Sequence, residues 1–124
     1  AKGQTVLVVE DDEETLNVLS RTLASGGLDV IWARDGADTL KLLTRHDGPI
    51  SLMVVDVVLP GMAAPELVEE VRRVHPKAGA IYVSAYDVAT VRSHGVDPDT
   101  MPFLPKPCEP RDLLRIVQEA LAVS

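Results

Sequence analysis

Five short runs of apolar residues recur along the chain, each followed by a polar or turn-forming residue. Runs of this length, rich in β-branched side chains and without alternation, are typical of strands that are covered on both faces. They predict five strands, at residues 5–9, 30–33, 51–56, 79–83 and 102–105. The last run contains Pro102 and Pro105, which cannot donate to a ladder, so we expect it at an edge of the sheet.

Apolar residues at helical spacing follow each of these runs. The stretch between residues 87 and 99 is the weakest of them and predicts only a short helix with Val88 and Val91. The other four stripes are Leu16, Leu19 and Leu23; Ala37, Leu40, Leu42 and Leu43; Leu67, Val68, Val71 and Val74; and Leu113, Leu114, Ile116, Val117, Ala120 and Leu121. Strict alternation of strand and helix predicts an α/β fold, a five-stranded parallel sheet with helices on both faces. We expect one domain over residues 1–124, with Trp32 packed within its strand.

The composition narrows the classes of protein to which this chain can belong. The net charge is -7 and no cluster of Lys and Arg stands out, which argues against nucleic-acid binding. No apolar run approaches the roughly 20 residues of a membrane span, so we expect no membrane contact. A single cysteine, Cys108, forms no internal disulfide, and we expect a cytoplasmic location. The chain begins at Ala1 without Met, which indicates either a segment of a longer protein or processing after expression.

Polar side chains follow the predicted strands at the end where parallel-sheet proteins bind ligands. Glu10 and Asp11 follow the first strand, Asp56 ends the third, Ser84 follows the fourth and Lys106 follows the fifth. Asp56 alone would more often be a loop residue or a helix cap. Three carboxylates about 4 Å apart would repel strongly, by roughly 4 kcal/mol for each pair at an effective dielectric near 20. A hard divalent cation with oxygen ligands, Mg²⁺, is the natural compensation.

These residue types are also suited to phosphoryl transfer. A carboxylate such as Asp56 can act as a nucleophile and form an aspartyl phosphate. Lys106 offers a point charge to a phosphoryl oxygen, and Ser84 offers a hydroxyl donor to another. In-line phosphoryl transfer mainly needs positioning and neutralisation of the developing charge, and this set of residues offers both.

Four short motifs together resemble the receiver domain of two-component response regulators, and the resemblance extends from end to end of the chain. Each motif alone is weak, but their joint occurrence is specific. They are Val8-Val9-Glu10-Asp11-Asp12, Val54-Val55-Asp56 followed by Pro60-Gly61-Met62, Val83-Ser84-Ala85, and Phe103-Leu104-Pro105-Lys106-Pro107. The resemblance implies the (βα)5 flavodoxin-like receiver fold.

The resemblance also implies roles for individual residues. Asp56 would accept phosphate from a phosphohistidine. Mg²⁺ would be held by Glu10, Asp11 and Asp56, together with the backbone carbonyl of Val58. We prefer the pair Glu10 and Asp11 over the pair Asp11 and Asp12, because the acidic pair of the family directly follows the first strand.

The remaining implied roles concern the phosphorylated state. Lys106 would contact the phosphate, and its bond to Pro107 is usually cis in the family. Ser84 matches the hydroxyl residue that moves toward the phosphate, and Phe103 matches the aromatic switch that turns inward behind it. A core aromatic residue that does not switch is the simpler alternative for Phe103.

The implied partners are a sensor histidine kinase or a histidine phosphotransfer protein. Receivers commonly signal through the fourth helix, fifth strand and fifth helix, here about residues 87–123, so a dimer through this face is possible. Residues 93–98 resemble receivers at the C-terminal end of hybrid histidine kinases. We expect a switch rather than an enzyme, and a receiver-like interaction module that is never phosphorylated is the alternative. A phosphatase of the haloacid-dehalogenase type would need a second Asp where this chain has Val58.

Overall fold

The structure is a computed structural model and describes residues 4–123 of the chain. Strands and helices alternate throughout, which confirms the predicted order. The strands are β1 (Thr5–Val9), β2 (Asp29–Ala33), β3 (Leu52–Asp56), β4 (Gly79–Ser84) and β5 (Phe103–Pro105). The helices are α1 (Glu13–Ser25), α2 (Gly36–Arg45), α3 (Ala64–Val74), α4 (Val88–Ser93) and α5 (Pro110–Val123). The predicted strands agree with these bounds to within one residue.

The five strands form one parallel sheet with the order β2-β1-β3-β4-β5. The α/β fold with a five-stranded parallel sheet is therefore confirmed, and β5 lies at an edge, as its prolines predict. The order reverses direction between β1 and β3, and ligands of open parallel sheets bind at such a point, beyond the carboxyl ends of the strands. In the registers of these strands, Val9 pairs with Val55 and Asp56 pairs with Val83.

Helices cover both faces of the sheet and enclose two layers of apolar side chains. On one face, α2, α3 and α4 pack over residues such as Leu7, Met53 and Val55. On the other face, α1 and α5 pack over Val6 and Val54. Because every residue of β3 is buried, this strand lacks the alternation that marks a half-exposed strand, as its sequence predicts.

Some apolar residues lie outside these layers, and for them the expected packing was wrong. Trp32 is 52% exposed, because β2 is the other edge strand and pairs with β1 on one side only. Leu40 and Val74 are also exposed. In α2 a buried position is taken by Thr39, whose hydroxyl donates to the carbonyl of Asp35 at 2.8 Å and so satisfies its own polar group.

The fourth helix is short, as its weak pattern predicts. It has six residues, begins after the cap residue Asp87 and ends before His94. Gly95 has φ of +86°, a conformation that side chains with a Cβ rarely adopt, so the chain leaves the helix abruptly here. Within residues 4–123, every helix is too short or too polar to cross a bilayer.

Candidate functional site

The carboxyl ends of four neighbouring strands bring the predicted site residues together. Glu10 directly follows β1, Asp56 is the last residue of β3, and Ser84 is the last residue of β4. Lys106 directly follows β5, and its backbone N–H donates to the backbone carbonyl of Ser84 at 2.8 Å. The bond between Lys106 and Pro107 is cis. Parallel pairing thus places residues far apart in sequence at one edge of the sheet.

Three carboxylates converge at this edge. Glu10, Asp11 and Asp56 each offer an oxygen, and these oxygens all lie within 4.8 Å of one another. Glu10 and Asp56 are buried, whereas Asp11 is exposed, so the cluster is closed on the protein side and open to solvent. An ion at 2.0–2.1 Å from each oxygen, the distance typical of Mg²⁺, needs oxygens about 3 to 4 Å apart. The three carboxylate oxygens, all within 4.8 Å of one another, lie close to that spacing, and hard oxygen ligands are the kind that Mg²⁺ prefers, so the donor set fits Mg²⁺.

Asp12, the next acidic residue along the chain, has a different role. It is the N-cap of α1, where its carboxylate accepts the N–H of Thr15 at 2.9 Å and the hydroxyl of Thr15 at 2.7 Å. These hydrogen bonds hold the pKa of Asp12 below its usual value. The cap fixes the end of the β1–α1 loop, and Oε2 of Glu10 accepts the N–H of Asp12 at 3.1 Å. This arrangement supports the choice of Glu10 and Asp11 as the metal pair.

Lys106 is the cation of the site. Its Nζ lies 2.7 Å from Oε1 of Glu10 and 3.6 Å from Oδ2 of Asp56. Both the amine and the two carboxylates are largely withdrawn from solvent, so this is a buried network rather than a surface ion pair. Burial alone would lower the pKa of Lys106, but the hydrogen bond to Glu10 and the charges of both carboxylates outweigh it and raise that pKa. Lys106 is therefore protonated at neutral pH.

One cation does not neutralise the cluster, and Asp56 shows the imbalance. Burial and, next, the negative charge of Glu10 raise the pKa of Asp56 to about 7, although Lys106 opposes the shift. The N–H of Val58 donates to Oδ1 of Asp56 at 3.3 Å, a weak stabilisation of the ionised form. A second positive charge would favour the carboxylate, which is the form that can act as a nucleophile.

Ser84 and Phe103 lie beside this cluster on adjacent strands. Ser84 is fully buried, and its Oγ accepts the N–H of Tyr86 at 3.0 Å. Phe103 is half-buried and packs against the apolar layer under α3 and α4. In the register of β4 and β5, Phe103 pairs with Tyr82 and Pro105 pairs with Ser84. The hydroxyl and the aromatic ring thus belong to positions two residues apart along the same strand pair.

Arg34 is a neighbour of the site that the sequence did not point out. It follows β2, and its guanidinium donates to the backbone carbonyl of Asp11 at 3.3 Å. The backbone N–H of Arg34 donates to the carboxylate of Asp38 at 3.0 Å. Because β2 pairs with β1, the residues after both strands meet at this edge, and that pairing is the signal that could have found Arg34.

Comparison with known proteins assigns the family. The sequence pattern of the family described as "Response regulator receiver domain" matches residues 6–118. The chain therefore belongs to the response regulator receiver domain family, the signalling modules of two-component systems. This agrees with the fold and with the acidic cluster at the carboxyl ends of β1 and β3.

Relatives of known name include both kinases and transcriptional regulators. The chain is 36% identical over 118 residues to the sensor kinase CckA of Brucella abortus (strain 2308), covering 94% of this chain and 12% of that protein. It is 29% identical over 120 residues to the DNA-binding transcriptional regulator NtrC of Rhizobium meliloti (strain 1021), covering 97% of this chain and 24% of that protein. The chain thus spans well under a third of each of these two relatives.

Solved structures show the same fold. The CheY-like response regulator receiver domain protein of Methanospirillum hungatei JF-1 superposes with a TM-score of 0.81 at 25% identity, covering 98% of this chain and 96% of that one. The receiver domain of the hybrid histidine kinase CckA superposes with a TM-score of 0.77 at 29% identity, covering 94% of this chain and 98% of that one. The CheY-like, flavodoxin-like receiver fold expected from the sequence is therefore confirmed.

Proposed function

We propose that this chain is a phospho-accepting switch in which Asp56 takes a phosphoryl group from a phosphohistidine. The bond between phosphorus and the imidazole nitrogen breaks, and a bond between phosphorus and a carboxylate oxygen of Asp56 forms. The imidazole nitrogen leaves with the bonding electrons, and the product is an aspartyl phosphate. The observation that carries the proposal is the convergence of Asp56, two further carboxylates and Lys106 at one strand edge.

Glu10, Asp11 and Asp56, with the backbone carbonyl of Val58, would hold Mg²⁺. The ion would supply positive charge to the carboxylates and to the oxygens of the transferred group. The open side of the cluster, where Asp11 is exposed, is the direction from which a phosphodonor can approach. Burial of Glu10 and Asp56 excludes water from the other side and strengthens each charge interaction.

The protein groups around Asp56 then respond to the new charge. Phosphorylation adds roughly −1.5 to −2 charges. Lys106 is already 3.6 Å from Asp56 and would shift toward the phosphoryl oxygens from its contact with Glu10. Ser84 would exchange the N–H of Tyr86 for a bond to the phosphoryl group, and Phe103 would turn inward behind it. The differential contacts in the two states are what allow phosphorylation to move a conformational equilibrium.

The partners follow from this chemistry. The donor would be a sensor histidine kinase or a histidine phosphotransfer protein, in the cytoplasm, and residues 1–124 would act as one receiver domain. The net charge of -7 supports a domain that contacts neither nucleic acid nor membrane itself. The surface of α4, β5 and α5 is the proposed dimer or output face. Similarity to the hybrid kinase CckA makes a place within a larger kinase one setting for this domain.

The direct test is intact-mass measurement after incubation with acetyl phosphate, with Mg²⁺ or with EDTA. We expect the wild-type chain to gain one phosphoryl group with Mg²⁺ only, and the Asp56→Asn variant to gain none. The exposed Asp47→Asn variant is the matched control and should be labelled like the wild type.

Two outcomes would contradict the proposal. Labelling that survives Asp56→Asn would mean that another residue is the nucleophile. If neither acetyl phosphate nor a phosphohistidine donor labels the wild type, the chain is an interaction module with a receiver fold.

A further inference from the structure

An ionic clamp joins the end of α4 to the loop that leads into β5. Arg92 lies in the last turn of α4. Its Nη1 donates to Oδ1 of Asp97 at 3.1 Å, and its Nη2 donates to Oδ2 of Asp99 at 2.7 Å. One guanidinium thus contacts two carboxylates of the same loop. We call Arg92, Asp97 and Asp99 the α4 clamp.

Asp97 is the centre of this loop. Besides Arg92, its carboxylate accepts the N–H of Asp99 at 2.9 Å and the hydroxyl of Thr100 at 3.1 Å. Its backbone carbonyl accepts the N–H of Met101 at 2.9 Å. The loop is therefore folded around Asp97, and a continuous set of hydrogen bonds extends from Arg92 to Met101.

This connection reaches the predicted switch residue. Met101 and Phe103 both pack against the apolar layer that contains Val91 of α4 and Val96 of the loop. The carbonyl of Pro102, between them, accepts the N–H of Tyr82 at 2.9 Å. A movement of α4 relative to this loop must therefore strain the α4 clamp, because the clamp joins the end of α4 to the loop that leads into β5. Val91 and Val96, from the same two segments, both lie in the apolar layer underneath.

We propose that the α4 clamp holds the resting arrangement of α4 and β5 and sets how often the unphosphorylated chain visits the arrangement that favours phosphorylation. This inference rests on the proposed function. A helix of only six residues has few contacts of its own, so an exposed network can decide its position. Exposed ion pairs are individually weak. Two together on one guanidinium are expected to change the ratio of two conformations by about fivefold.

The first test uses the unphosphorylated 124-residue chain and methyl relaxation dispersion. The chain has three methionines. Met101 reports on the loop, and Met53, which is buried in β3, serves as an internal reference. In the Arg92→Gln variant we expect the minor-state population at Met101 to rise about fivefold. The Asp99→Asn variant, which removes one of the two contacts, should give a rise of about twofold.

The matched control is Arg73→Gln. Arg73 forms an exposed ion pair with Glu70 at 3.1 Å. Because both residues lie in α3, removing this ion pair changes no contact between α3 and another part of the chain. We expect the wild-type population in this variant. An equal rise in both variants, or no minor state at Met101 in either the wild type or Arg92→Gln, would overturn the proposal.

The second test measures the initial rate of labelling by acetyl phosphate at saturating Mg²⁺. Arg92→Gln should raise this rate about as much as it raises the minor-state population, and Arg73→Gln should leave it unchanged. A higher population with an unchanged rate would show that the visited arrangement is not the one that favours phosphorylation. If the wild type is not labelled at all, the proposed function fails, and the dispersion measurement still decides whether the α4 clamp holds α4 and β5.

Discussion

Replacing Asp56 by Asn should stabilise the folded domain. The gain should grow as the pH rises from 3.8, the ordinary pKa of Asp, to about 7, the pKa of Asp56 in the folded chain. The native carboxylate is 6% exposed and shares its site with the carboxylate of Glu10. Asn has nearly the same shape as the protonated acid and no charge. The substitution therefore removes the charge repulsion and most of the desolvation cost, while Lys106 keeps its 2.7 Å contact with Glu10.

The size of the effect can be worked from the pKa of Asp56, which is raised from 3.8 to about 7. A shift of about three pKa units corresponds to about 4 kcal/mol at 1.36 kcal/mol per unit. This shift already includes the opposing attraction between Lys106 and Asp56, which lie 3.6 Å apart. The open side of the cluster admits water, and solvent screening reduces the expected gain to about 2 kcal/mol.

The pH dependence has a fixed sign. The raised pKa means that the unfolded chain loses the proton of Asp56 first, near its ordinary value, while the folded chain keeps it until about pH 7. The cost to the folded state is therefore absent in acid, grows as the pH rises through that window, and is constant above it. The gain from Asp56→Asn should take the same course, about 2 kcal/mol at pH 8 and about a quarter of that at pH 4.5.

Urea unfolding monitored by circular dichroism, in EDTA, measures this difference. Asp47→Asn, at an exposed loop position, is the control and should change the free energy of unfolding by less than about 0.5 kcal/mol at either pH. A gain of equal size at pH 4.5 and pH 8 would show that packing rather than charge is responsible. No gain at pH 8 would mean that Asp56 is not held near Glu10 without a compensating cation.

Two further outcomes test the surroundings of Asp56. Lys106→Met should lower the free energy of unfolding at pH 7 by about 3 kcal/mol, because Glu10 is 1% exposed and would lose the cation 2.7 Å away. Urea unfolding in EDTA measures this difference, and a change below about 1 kcal/mol would show that the contact between Lys106 and Glu10 does not stabilise the fold. Val58→Asn combined with Tyr86→Glu should shorten the lifetime of the phosphorylated chain. The backbone N–H groups of Val58 and Tyr86 contact Asp56 and Ser84, so both residues adjoin the site, and neither native side chain offers a base to an attacking water. Intact mass measured over time gives the decay, and an unchanged lifetime would refute the reasoning.

The fold could be predicted because each strand contains a short apolar run and four of the five helices carry a clear apolar stripe. All five residues of β3 are buried, and this degree of burial requires helices on both faces. Trp32 shows where such reasoning ends. An aromatic residue in a strand normally packs, but the pattern does not tell which strand becomes an edge, and β2 leaves Trp32 52% exposed.

The site could be predicted as a set of residues but not as a network of contacts. Parallel strands place the residues at their carboxyl ends along one edge, so the sequence alone groups Glu10, Asp56 and Lys106. It does not reveal that Lys106 approaches Glu10 more closely than Asp56, because that depends on side-chain length and on the course of the chain after β5. The same limit hid Arg34, whose contact with Asp11 depends on the pairing of β2 with β1.

The unequal contacts of Lys106 give the cluster a physical reason to respond to a dication. Burial and, next, the negative charge of Glu10 raise the pKa of Asp56 to about 7. Lys106 opposes this shift only in part, because its Nζ lies 2.7 Å from Glu10 but 3.6 Å from Asp56. On the proposed function, Mg²⁺ held by the three carboxylates would lower that pKa and leave Asp56 ionised at neutral pH. A site with complete compensation by Lys106 would gain little from the ion. One cause, the unfavourable burial of the Asp56 carboxylate beside Glu10, would therefore have two effects. It destabilises the folded chain in EDTA, which Asp56→Asn should relieve, and it would make ionisation of the nucleophile depend on Mg²⁺.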